Sequence, residues 1–128
     1  MNTILFVDDH HAFRTVFGEV LRLKGYTVME AGTTADVDDI VRHHSGPLDL
    51  LVVEAVLTTT NGIEVANRLH ARYPELHVLY ISEERSLELS AHGQLPAAAP
   101  FLQKPFGAED LCTKVQELLG TKAKAAVY

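Results

Sequence analysis

The sequence is short of cysteine, of basic charge and of long apolar runs. Cys112 is the only cysteine among 128 residues. No internal disulfide can therefore form, and a reducing cytoplasm suits the chain. Acidic residues outnumber basic ones, 17 to 11, and the formal net charge is −6. Nucleic-acid binding calls for a clustered basic patch, and Lys122 and Lys124 near the end do not make one. No apolar run reaches the length needed to cross a bilayer. The opening MNTILFVDD meets acid too soon for a signal peptide. Internal repeats and interdomain linkers are missing too, so the composition excludes arrays and multidomain layouts.

What remains is an ordinary globule, with mean hydropathy near zero and length for one domain. Residues 1–120 are expected to form that domain, with 121–128, TKAKAAVY, as a small-residue tail. Short β-rich runs alternate with segments of helical period. The predicted strands are Thr3 to Val7, Tyr26 to Glu30, Leu48 to Glu54, His77 to Ser82 and Pro100 to Gln103. ILFV and LLVV show no polar alternation, which marks central strands covered on both faces. Apolar stripes at helical spacing predict helices through Phe13–Leu21, Val37–Val41, Ile63–Leu69 and Leu111–Leu119, with a weaker helix over Arg85 to His92. Gly25, Gly46-Pro47, Pro74 and Gly120 supply the stops. Strand–helix repetition predicts an α/β fold, a doubly wound parallel sheet.

Ligands of such sheets bind beyond the carboxyl ends of the strands. The residues predicted there are Asp8 and Asp9 after the first strand, Glu54 ending the third, Ser82 ending the fourth, and Lys104-Pro105 after the fifth. Three carboxylates, a hydroxyl and an amine thus converge on one rim. Carboxylates held so close repel unless a cation joins them, and Mg²⁺ suits one or two carboxylates plus retained waters. Asp8 or Asp9 also has the chemistry to cap the following helix. Adjacent His10-His11 and His43-His44 lack the spacing that puts two ligands on one helix face, and are assigned to the surface. Cys112 is assigned to core or boundary packing.

FVDDHHAFR, DLLVVE followed by NG, VLYIS and FLQKPF together resemble a response-regulator receiver domain of two-component signalling, over Ile4 to Leu119. The second half is similar to receivers at the end of hybrid histidine kinases. The resemblance implies a flavodoxin-like (βα)5 sandwich with strand order 2-1-3-4-5. It implies Mg²⁺ on Asp8, Asp9, the backbone carbonyl of Val56 and the acceptor carboxylate. It further implies Ser82 and Lys104 as the groups that meet a phosphoryl group, Phe101 as an aromatic switch, and a cis bond at Lys104–Pro105. The implied partners are a histidine kinase or phosphotransfer protein and a downstream output protein, with no membrane and no nucleic acid.

Glu54 stands where such domains carry the phosphorylated Asp. One added methylene moves the carboxylate about 1.5 Å. A displacement near 1 Å costs on the order of 10²-fold in a positioned reaction. The expectation is a degenerate receiver with Glu54 as a partial phospho-mimic reaching toward Ser82 and Lys104, against the alternative of an ordinary Mg²⁺-dependent acceptor. Glu83 after Ser82 either crowds the pocket or points into water, and Thr58, where proline is usual, either loosens the loop or simply fits its turn. A flavodoxin-like flavin module would want a Ser/Thr/Gly-rich loop in place of DDHH, and a dehalogenase-type phosphatase would want D-x-D, so no enzyme is expected.

Overall fold

Leu50–Glu54 is buried at all five positions, and this strand organises the molecule. A run buried on both faces must be flanked by strands on each side and by helices above and below. The computed structural model describes residues 2–120 except 92, 94 and 97, and omits the side chain of Leu87. Residues 121–128, the expected tail, and the end of the weak helix at His92 lie outside the described residues. Among those described, no helix is long and apolar enough to cross a membrane.

Among the described residues five strands and five helices alternate: β1 Thr3–Val7, α1 His11–Leu23, β2 Thr27–Ala31, α2 Thr34–His43, β3 Leu50–Glu54, α3 Gly62–Arg72, β4 His77–Ser82, α4 Ser86–Ala91, β5 Phe101–Gln103 and α5 Ala108–Leu119. Every pairing is parallel and the sheet order is β2-β1-β3-β4-β5. The expected fold and strand order are what the molecule has. Side chains alternate along β3, so Leu51 and Val53 join one core while Leu50 and Val52 join the other. Phe101 packs half-buried against the first core. Cys112 packs half-buried against the second, as assigned from sequence.

The strand boundaries move by one or two residues from expectation, for identifiable reasons. Tyr26 spends its N–H on Leu21 in the turn after α1, so β2 begins at Thr27. Gly25 makes that turn with φ of 100°, open to glycine without strain. Asp49 ties its carboxylate to the Thr3 N–H at 2.7 Å just ahead of the ladder, and β3 proper starts at Leu50. Pro100 has no N–H to give, although its carbonyl accepts from Tyr80 N at 3.0 Å, and β5 starts at Phe101.

Helix starts follow capping chemistry. Thr33 accepts from Asp36 N–H to open α2, Asn61 accepts from Glu64 N–H to open α3, and Asp110 reaches back to Gly107 N–H at α5. The expectation that Asp8 or Asp9 caps α1 is overturned. The cap residue is His10, which makes no side-chain cap bond. Asp8 instead accepts the N–H of His10 itself at 2.9 Å, because its other oxygen is drawn inward to Lys104.

Candidate functional site

The parallel register brings the carboxyl ends of β1, β3 and β4 level, with Val7 beside Val53 and Glu54 beside Ile81. Asp8, Glu54, Ser82 and Lys104 are the only buried polar or charged residues in the described chain, and all four stand at this rim. Burying carboxylates there carries a desolvation penalty unless each finds a partner. The partner is Lys104. Its Nζ donates to Glu54 Oε1 at 2.7 Å and to Asp8 Oδ2 at 2.9 Å. The ammonium also lies 4.2 Å from the centre of the Phe13 ring, a cation–π contact that sequence reasoning did not foresee. Lys104–Pro105 is cis, as the resemblance implied.

Glu54 Oε2 accepts the N–H of Val56 at 3.3 Å. Val56 forms an antiparallel bridge with Asn61 in which the flanking residues make the bonds, Leu57 N to Thr60 O and Gly62 N to Ala55 O. The N–H and C=O of Val56 therefore face away from Asn61. Ser82 Oγ accepts the N–H of Glu84 at 3.2 Å. Glu83 is exposed, in line with the reading that it points into water, and its carbonyl accepts from Gln103 Nε2.

Electrostatics follow from burial and pairing. Burial pushes the Glu54 carboxyl above its usual range, and the bonds from Lys104 and Val56 offset only part of that. For Lys104 burial acts to expel the proton, yet the carboxylates of Glu54 and Asp8 win and hold the ammonium above its ordinary value. Asp9 is exposed. The small burial it has acts upward, but hydrogen bonds from Thr58 hold its carboxyl below the usual range.

Of the two readings for Thr58, the bonds favour a residue that ties its loop down. Its N–H donates to Asp9 Oδ2 at 2.9 Å and its hydroxyl donates to the same oxygen. A proline offers neither donor.

Ligand atoms of Asp8, Asp9 and His10 lie within 4.8 Å of one another. The two carboxylates offer oxygen donors of the kind Mg²⁺ accepts. His10 was assigned to the surface from sequence; it is exposed, yet it stands in this cluster. Arg14 was missed as well. Its Nη1 donates to the Asp8 carbonyl at 2.7 Å while its Nε pairs with Glu30 at 3.1 Å. Helical side chains lean toward the N-terminus, and that lean is the signal that an arginine one turn into α1 reaches back to the acidic loop.

A family model for the response regulator receiver domain matches residues 4–116. The sensor kinase CckA of Brucella abortus (strain 2308) is 28% identical over 117 residues, which make up 91% of this chain but 12% of that protein. The response regulator receiver protein CpdR of the same organism is 28% identical over 119 residues, covering 93% of this chain and 98% of that protein. Among solved structures, the receiver domain of the hybrid histidine kinase CckA superposes with a TM-score of 0.76 at 26% identity, covering 92% of this chain and 99% of that one. A CheY-like receiver domain protein from Methanospirillum hungatei JF-1 reaches a TM-score of 0.80 at 25% identity, covering 98% of both chains. With the matched family spanning most of its length, the chain belongs to the response-regulator receiver domains of two-component signalling.

Proposed function

We propose that this receiver domain works without efficient phosphotransfer, as a signalling module that acts through protein–protein contacts. The observation that carries the reading is the buried 2.7 Å bond between Glu54 Oε1 and Lys104 Nζ. In a phosphoryl transfer to a carboxylate, the nucleophile must lie in line with phosphorus while cations neutralise the transferring oxygens. Glu54 carries its carboxylate one methylene beyond the reach of Asp and places it on the amine that would neutralise the phosphoryl group. The acceptor and the neutralising amine thereby satisfy each other. The carboxylate offers less charge and fewer acceptor oxygens than a phosphoryl group, which makes it a partial mimic of the activated state.

Asp8, Asp9 and the Val56 carbonyl would hold a Mg²⁺ ion, with Glu54 as a further oxygen. The ion would supply positive charge for neutralising an incoming anion. The domain, residues 1–120, would meet a histidine kinase or phosphotransfer protein beside the acidic rim and α1. An output protein would read the side that carries Phe101, the proposed switch ring. None of these roles makes the domain an enzyme.

The test is phosphorylation with acetyl phosphate and Mg²⁺, followed by intact mass. The parent chain should accumulate adduct on the order of 10²-fold more slowly than Glu54→Asp, the magnitude expected for a nucleophile out of place. Stoichiometric acid-labile adduct on Glu54 at the rate of the Asp variant sinks this reading and restores an ordinary acceptor.

A further inference from the structure

Asp9 differs from the other two rim acids. Asp8 and Glu54 share the ammonium of Lys104, whereas Asp9 is exposed and bonds across to the loop after β3. Both Thr58 donors converge on one oxygen, Oδ2. Two donors use the lone pairs of that oxygen and draw on the charge of the whole carboxylate. A divalent cation arriving at Asp9 has to compete with them for Oδ2, and at Oδ1 it meets a carboxylate whose charge they already share. We infer that Thr58 is a latch on Asp9 that weakens divalent-cation binding and fixes the loop between β3 and α3 while no cation is bound.

The geometry gives the latch its reach. Thr58 lies 49 residues from Asp9, and its loop is stapled at its base by the Val56–Asn61 bridge. The loop also carries the carbonyl of Val56 and follows directly on Glu54. A cation that pulls Asp9 away from Thr58 therefore frees the tip of this loop at Thr58. Linkage makes the effect reciprocal: whatever holds the latch shut lowers cation affinity by the factor by which the cation opens it. Three rim carboxylates are thus satisfied from within the chain, two by Lys104 and one by Thr58. Thr58 acts through Asp9 and is a positioning residue.

This inference rests on reading Asp9 as a cation ligand, and the experiment separates the two. Mg²⁺ binding is titrated by calorimetry, and Mn²⁺ binding by electron paramagnetic resonance, for the parent, Thr58→Val, Thr58→Ser and Asp9→Asn. Thr58→Val keeps the backbone donor and loses the hydroxyl. It should bind about three- to tenfold more tightly, the net worth of one ordinary hydrogen bond. Thr58→Ser keeps the hydroxyl and should stay near the parent. In the parent, saturating Mg²⁺ should speed hydrogen exchange of the Thr58 amide. Equal affinity of parent and Thr58→Val, including no binding by either, overturns the latch. Asp9→Asn then tells what failed. Weaker binding in that variant leaves the ligand reading standing, and unchanged binding removes it along with the latch.

Discussion

Three groups hold the ammonium of Lys104: the Glu54 carboxylate, the Asp8 carboxylate and the face of Phe13. Replacing it with methionine would leave two acids buried without a counter-charge. Lys104→Met should therefore lose about 3–5 kcal/mol, the usual penalty for breaking a buried pair from one side. The pH dependence has a definite sign. The folded ammonium titrates above its ordinary 10.5, so its contribution is whole below pH 10.5 and drains away as pH rises through the higher folded value. Urea midpoints from pH 8 to 12 should show the gap between parent and Lys104→Met closing at the alkaline end. A gap that stays constant refutes the pairing. Lys104 and its acids were legible in the sequence because each ends a strand or follows directly on one, where a parallel sheet gathers its ends. The Thr58–Asp9 bond was not legible. It depends on the path of a loop, and nothing in the spacing of residues 9 and 58 announces it.

At the scale of elements, the turn from β3 into α3 decides how firmly Glu54 is held. A Cβ built on Gly62 would sit 2.9 Å from the Glu54 carbonyl oxygen, 3.2 Å from Ala55 Cα and 3.2 Å from the Tyr80 ring. Two of these neighbours are backbone and have nowhere to go. Alanine there gains at most about 1 kcal/mol of helix propensity, and less at a first helical position. Overpacking costs about 1–3 kcal/mol, so the clash wins. Gly62→Ala should lower the urea midpoint at unchanged slope, and a stabilised variant would contradict the close approach. Asn61 caps the helix that starts here, as Asn commonly does. That glycine is needed for contact with β3, with no positive φ involved, is visible only once β3 and α3 are packed.

For the whole molecule, the sheet separates two apolar layers that share β3. Leu50 faces one and Leu51 the other, and both are fully buried. Leu50→Ala and Leu51→Ala should each cost about 2–5 kcal/mol. Since one strand serves both layers, each variant should still unfold in a single transition seen alike by circular dichroism and tyrosine fluorescence. Separate transitions for the two layers would contradict this. The layered fold was readable because LLVV and ILFV lack alternation, and only strands covered on both faces afford that pattern. Boundaries were less readable, since Tyr26, Asp49 and Pro100 are settled by individual backbone bonds. The same sheet order leaves β2 and β5 at its two margins. β5 is three residues long, with Pro100 before it and Pro105 two residues after it. A foreign strand approaching that margin finds a very short row of hydrogen-bonding groups bounded by prolines that cannot donate, and such margins resist edge-to-edge aggregation.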